Sequence, residues 1–236
     1  MALKALFLDF YGTLVEEDDD ILPILCEQVR IHAADPEALT AHEISHRWWE
    51  ILKPLYVNAH HDAWISHREV SERSIAMLAE ELGATGADLD AILAPQYARW
   101  GAPPIFPETH GFLDAVRALG VPIGIVSNID RADIELALAH HGIVPDVLVT
   151  SEDARAYKPR PEMFTQALAA FDLAPHEVLH VGDSRTSDIA GATPLGIPVA
   201  WINRTGKVAT SAPVADHEVT DLRDLLPIIA DAIAAS

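Results

Sequence analysis

The sequence predicts an α/β protein: a doubly wound parallel sheet with an α-helical domain inserted after its first strand. Two observations carry this. Short apolar runs bounded by turn residues alternate with amphipathic helical patterns along most of the chain, as in a sheet covered on both faces. Between residues 16 and 100 the alternation stops and only helix-like spacing remains.

The elements follow in order. Residues 3–9 form an apolar run that ends abruptly at Asp9-Phe10-Tyr11-Gly12-Thr13, which reads as a buried strand entering a turn. Within the inserted stretch, Ile21, Leu25, Gln28 or Val29, and His32 mark one helix face. Val70, Ser74, Met77, Leu78 and Leu82 mark another, and Pro36, Pro54 and Pro95 are expected to punctuate the helices. The acidic run 16–20 reads as an exposed hinge, and Gly101-Ala102-Pro103-Pro104 as the return linker. This places a core at 1–15 and 101–236 and a helical cap at 16–100. Further strands are expected at 121–126, 147–150, 178–182 and 197–202, with a weaker one at 217–220. Phe112, Val116 and Leu119 carry helical spacing between strands, as do Leu222, Leu225, Leu226, Ile229 and Ile233 near the end.

Composition narrows the function. With 236 residues, half of them apolar, the chain can bury a substantial core. A formal charge of −20, from 16 basic against 36 acidic residues, argues against nucleic acid or an anionic membrane as the main partner. The single cysteine, Cys26, excludes an internal disulfide and fits a reducing cytoplasm. The amino-terminal apolar run from Met1 is too short for a signal peptide or a membrane span. Nothing in the sequence fixes an oligomeric state.

In an open α/β sheet, ligands bind beyond the carboxyl ends of the strands. Four such ends carry polar groups: Asp9 with Gly12 and Thr13; Ser127-Asn128; Lys158-Pro159; and Gly182-Asp183-Ser184 with Asp188. Singly, each has an ordinary explanation: a turn, a helix cap, a solvated lysine. Together they gather at one sheet edge.

In Asp9-Phe10-Tyr11-Gly12-Thr13-Leu14, Val126-Ser127-Asn128, Lys158-Pro159-Arg160-Pro161 and Val181-Gly182-Asp183-Ser184-Arg185-Thr186-Ser187-Asp188, the chain resembles the haloacid dehalogenase-like (HAD) hydrolase superfamily along its whole length. The resemblance implies a Rossmann-like core with a helical cap, and Asp9 as a covalent nucleophile. It implies that Ser127, Asn128 or Thr13 hydrogen-bonds an anionic small-molecule substrate, and that Lys158 balances charge beside Asp9. It also implies Mg²⁺ held by Asp9, the Tyr11 carbonyl, Asp183 and Asp188. Hard oxygen ligands suit that ion.

Tyr11 departs from the family's phosphatases, which usually carry a second aspartate there to protonate the leaving alcohol. Family dehalogenases commonly carry Tyr, since a halide leaves without a proton. They also replace the Gly-Asp pair of the fourth motif with serines and need no metal, whereas this chain keeps Gly182 and Asp183. The expectation is therefore a Mg²⁺-dependent phosphatase. A 2-haloacid dehalogenase is the alternative, followed by carbon–phosphorus cleavage through Lys53 and by a non-catalytic binding protein of the same fold. His180, inside a strand, reads as a satisfied core residue, and no histidine has zinc-ligand spacing. Of the adjacent Trp48 and Trp49, only one can face a core.

Overall fold

In a computed structural model, residues 3–208 and 213–234 are described; Met1 and Ala2, at the head of the amino-terminal run, lie outside them. Six parallel strands form one sheet: β1 (Ala5–Leu8), β2 (Ile123–Ser127), β3 (Val147–Thr150), β4 (Val178–Gly182), β5 (Val199–Ile202) and β6 (His217–Val219). Their order, β3-β2-β1-β4-β5-β6, reverses direction at β1. The crevice between β1 and β4 is therefore the switch point where such sheets bind ligands. Register is set by pairs such as Leu8↔Ile125, Leu8↔Val181 and Ser127↔Thr150. All four residues of β1 and all five of β2 and β4 are buried, which explains why they read as unbroken apolar runs.

The helices are α1 (Leu22–His32), α2 (Ala41–Asn58), α3 (His67–Glu81), α4 (Leu89–Gly101), α5 (Thr109–Ala118), α6 (Arg131–His141), α7 (Ser151–Ala154), α8 (Glu162–Phe171), α9 (Ala190–Ala192) and α10 (Leu225–Ala234). The chain divides into two compact units. One comprises 1–16, 104–128 and 143–236; the other, wholly helical apart from loops, comprises 17–103 and 129–142. The second unit thus includes α6, whose Leu136 meets Gly101 at the end of α4.

In the sheet unit, Phe7, Val126, Met163, Phe164, Val178 and Trp201 share one core. The helical unit has its own, built from Leu25, Cys26, Val29, Ile44, Trp48, Ile75 and Leu78. Trp48 is 2% exposed and donates its indole N–H to Ser74 Oγ (2.7 Å), whereas Trp49 is 55% exposed. Ser74 in turn donates to the Ser71 carbonyl (2.9 Å), so this buried polar pair is satisfied.

Three sequence expectations change here. Pro54 and Pro95 do not punctuate; both lie inside helices, α2 and α4. A proline removes one helical hydrogen bond, and α2 offsets that loss with a capping box in which Thr40 and Glu43 satisfy each other's amides. His32 is not on the buried face of α1, which consists of Leu25, Cys26 and Val29; its ring instead bonds the Gln28 carbonyl (2.8 Å). Met77 is 49% exposed, and the core side of α3 runs through Val70, Ser74, Ile75 and Leu78.

Candidate active site

Asp9 directly follows β1. Its amide donates to the Val181 carbonyl (2.9 Å), which sets Asp9 beside the end of β4. The chain then turns at once: the Phe10 carbonyl accepts from the amides of Thr13 (3.3 Å), Leu14 (2.8 Å) and Val15 (3.1 Å), while the Gly12 amide donates to the Val15 carbonyl (2.7 Å). Gly12 has φ +78°, which favours glycine, and a Cβ there would lie 2.6 Å from the Asp183 carboxylate. Gly182 has ordinary backbone angles, yet its Cβ would fall 2.2 Å from Asp188 Cγ. Both motif glycines therefore leave room for a carboxylate.

Thr13 is fully buried, and among the described residues its Oγ1 has no hydrogen-bond partner. Tyr11, in the same turn, packs its ring edge-on against Phe10 at 5.1 Å between centroids. Ser127 closes β2 and is buried. The Asn128 amide group meets the main chain of Lys158 at both ends: Oδ1 accepts from the Lys158 amide (2.7 Å), and Nδ2 donates to the Lys158 carbonyl (3.2 Å).

Lys158 is the centre of this arrangement. Its side chain is 1% exposed, and Nζ lies 2.9 Å from Asp9 Oδ1, 2.6 Å from Asp188 Oδ1 and 2.9 Å from the Val126 carbonyl. An ammonium has three hydrogens, and these are its three acceptors. Asp188 sits on a single wide helical turn, 185–189. Its Oδ1 also accepts from His180 Nε2 (2.9 Å), and its Oδ2 from the Ser184 amide (3.0 Å). His180 is completely buried under the edge of Phe164.

The electrostatics follow from this packing. Burial pushes the Asp9 carboxyl above the usual aspartate range; Lys158 pulls against the shift and the Asp188 charge adds to it. Burial would also raise Asp188, but Lys158 and His180 outweigh it and hold that group well below the usual range. For Lys158, burial opposes the charged form, while Asp188 and Asp9 more than offset it and raise the ammonium above its ordinary value. Two carboxylates at 2.9 and 2.6 Å thus favour the charged form of Lys158.

Carboxylate oxygens of Asp9, Asp183 and Asp188 all lie within 4.8 Å of one another. Three carboxylates against one ammonium leave excess negative charge, and the ligands are all hard oxygens, so the set fits a hard divalent cation. Two residues that local sequence pattern does not mark also reach this edge from the end of β5. Trp201 donates its indole N–H to the Asp183 carbonyl (2.8 Å), and Arg204 donates to the Thr13 carbonyl (2.8 Å). Asp9, Tyr11, Thr13, Ser127, Asn128, Lys158, Asp183 and Asp188 all lie in the sheet unit, at or beyond the carboxyl ends of its strands, whereas Lys53, the candidate for carbon–phosphorus cleavage, lies in α2 of the helical unit.

A buried carboxylate–ammonium cluster at the switch point of a parallel sheet defines an α/β enzyme of the aspartate-centred kind. The chain belongs to the haloacid dehalogenase-like hydrolase family, whose model matches residues 3–196. Over 234 residues it is 28% identical to an (S)-2-haloacid dehalogenase of Pseudomonas sp. (strain YL), covering 96% of this chain and 94% of that one. Over 127 residues it is 32% identical to a phosphoserine phosphatase of Thermus thermophilus, covering 52% of this chain and 50% of that one. The chain spans about half the length of several other curated relatives it matches. Among solved structures, an L-2-haloacid dehalogenase superposes with a TM-score of 0.78 at 24% identity, covering 98% of this chain and all of that one, a likeness of fold. Among the described residues no helix is long and apolar enough to cross a membrane.

Proposed function

We propose that this chain is a Mg²⁺-dependent phosphatase of small phosphorylated metabolites, using Asp9 as nucleophile. One observation carries the reading: the carboxylates of Asp9, Asp183 and Asp188 converge on one another, Lys158 pairs with Asp9 and Asp188, and Gly12 leaves the space that the Asp183 carboxylate takes up. Asp9 attacks phosphorus as the ester P–O bond breaks and the alcohol leaves as its oxyanion, and water then hydrolyses the aspartyl phosphate to inorganic phosphate and the free carboxylate. Thr13 Oγ1, buried without a partner among the described residues, donates to a substrate oxygen together with Ser127. Asn128 sets the Lys158 main chain, and Lys158 neutralises charge between Asp9 and Asp188.

Asp188 has both oxygens engaged by Lys158, His180 and Ser184, so Asp9 and Asp183 would hold the cation directly, with the Tyr11 carbonyl, and Asp188 would act from behind them. Mg²⁺ held there would screen the repulsion between a phosphate dianion and the Asp9 carboxylate. The tyrosine phenol, with an ordinary pKa of about 10, is a poor acid–base catalyst near neutral pH. Substrates with acidic leaving groups are accordingly the better ones. We assign specificity to a helical cap formed by the inserted stretch, and place the enzyme in a reducing, cytoplasmic setting.

The second reading, a metal-independent 2-haloacid dehalogenase, is supported by Tyr11 and by the full-length likeness to the Pseudomonas enzyme. The test is paired turnover on p-nitrophenyl phosphate and on L-2-chloropropionate, each with Mg²⁺ and with EDTA. Phosphate release abolished by EDTA is the expected result. Chloride release indifferent to EDTA would overturn the phosphatase reading in favour of the second.

A further inference from the structure

Strand β5 supplies none of the motif residues, yet Arg204, two residues beyond its end, is built into the nucleophile's turn. Its side chain is only 18% exposed. Nη2 donates to the Thr13 carbonyl (2.8 Å), across 191 positions of sequence. Nη1 pairs with the carboxylate of Glu108, which is itself buried, and the guanidinium lies 3.6 Å from the Phe106 ring centroid.

These three partners come from two segments of the sheet unit. Thr13 belongs to the turn that begins at Asp9. Phe106 and Glu108 belong to the stretch by which the chain returns to the sheet unit at residue 104. The two segments are already paired: the Glu16 amide donates to the Pro104 carbonyl (2.8 Å), the Phe106 amide to the Leu14 carbonyl (3.3 Å), and Thr109 Oγ1 to the same Leu14 carbonyl (2.6 Å). Arg204 adds a fourth attachment, tying both to the end of the sheet. A planar fork that can bond two acceptors while stacking on a ring is a property of arginine that lysine lacks.

We propose that Arg204 is a positioning residue, fixing the height of the Asp9–Thr13 turn over the sheet and thereby the placement of the Asp9 carboxylate and Thr13 Oγ1. The inference rests on the reading of Asp9 as nucleophile. A misplacement of about 1 Å in a reacting group can reduce turnover on the order of 100-fold, so a side chain that holds a main-chain carbonyl of this turn has catalytic leverage without touching substrate.

The experiment compares wild type with Arg204→Lys and Arg204→Gln. The lysine variant keeps a cation beside Glu108 and so guards against a simple folding failure. Two readouts are taken: kcat and KM on p-nitrophenyl phosphate, and amide hydrogen exchange, followed without substrate, over residues 10–16 and 104–109 with β2 and β4 as internal reference. Arg204→Lys is expected to lower kcat about tenfold or more, leave KM within about twofold, and speed exchange at 10–16 while β2 and β4 stay as in wild type; Arg204→Gln should exceed it in both respects. Unchanged exchange at 10–16 would overturn the proposal. So would faster exchange with an unchanged kcat, since Arg204 would then be a structural tie alone. The two failures separate: a wild-type chain that does not turn over p-nitrophenyl phosphate counts against the phosphatase reading, whereas the exchange arm needs no turnover.

Discussion

Each compact unit contains a cation paired with a buried aspartate, and the two pairs are built for different ends. In the sheet unit, Lys158 is 1% exposed and faces two carboxylates, Asp9 and Asp188. In the helical unit, Arg68 at the start of α3 is 41% exposed and pairs with Asp133 of α6, whose side chain is 1% exposed (Nε–Oδ2 2.9 Å). Neighbouring Asp130 accepts the amides of His67 (2.8 Å) and Arg68 (3.0 Å), using its charge where the α3 dipole favours it. Arg68 also lies over the Tyr97 ring at 4.3 Å. The helical pair has one carboxylate per attachment and a solvent-facing cation, which is what structural stapling requires. The sheet pair crowds several like charges around one fully buried ammonium. Such an arrangement is unfavourable for stability and marks a place where charge is held ready for something else.

The largest way to break this contrast is Asp9→Asn. Turnover should fall on the order of 10⁴-fold or more, as when a nucleophile is removed. The same change takes one negative charge out of a cluster with too many, so the melting temperature should stay level or rise. A variant that kept activity, or that unfolded, would count against the contrast. Next comes Lys158→Met, which strands Asp9 and Asp188 together. Urea denaturation should show a loss of about 3–5 kcal/mol, the scale of breaking a buried pair, along with loss of turnover. Adding Asp188→Asn should restore much of the stability and none of the activity. The smallest effect belongs to Arg68→Met. Because Arg68 is part-exposed, the loss should be about 1–2 kcal/mol, with kcat on p-nitrophenyl phosphate within about twofold of wild type. A large fall in kcat there would erase the distinction between the two pairs.

How much of this was legible depended on the range of the signal. Strands β1, β2, β4 and β5 lie where apolar runs place them, because strands buried on both faces write their burial into consecutive residues, whereas β6, His217–Val219, is only partly buried and is the weaker expectation. Asp9, Ser127 and Asp183 sit at or directly after strand ends, whereas Lys158 follows α7 and Asp188 lies on the turn after β4. Proline was over-read: Pro54 and Pro95 remain within helices, since capping and packing of α2 and α4 outweigh one missing hydrogen bond each. Helical phase was slightly misjudged at His32 and Met77, where one residue of rotation separates core from solvent. Arg204 and Trp201 were invisible as site neighbours. Their partners, Thr13 and Asp183, are remote in sequence, and no period or spacing encodes a contact across 191 positions. The bonds between the Asn128 amide and the Lys158 main chain are of the same long-range kind.

The strand order also has a consequence in time. The strand that ends at Asp9 is made before the other five, yet it lies in the middle of the sheet, with Leu6 opposite Ile123 on one side and Leu179 on the other. During synthesis at roughly 5–20 residues per second, this apolar strand must wait for many seconds before either neighbour exists. The helical stretch emerges in that interval and carries a core of its own. Lys158, Asp183 and Asp188 arrive only with the later strands, so the clustered charges are never assembled without the sheet that holds them together.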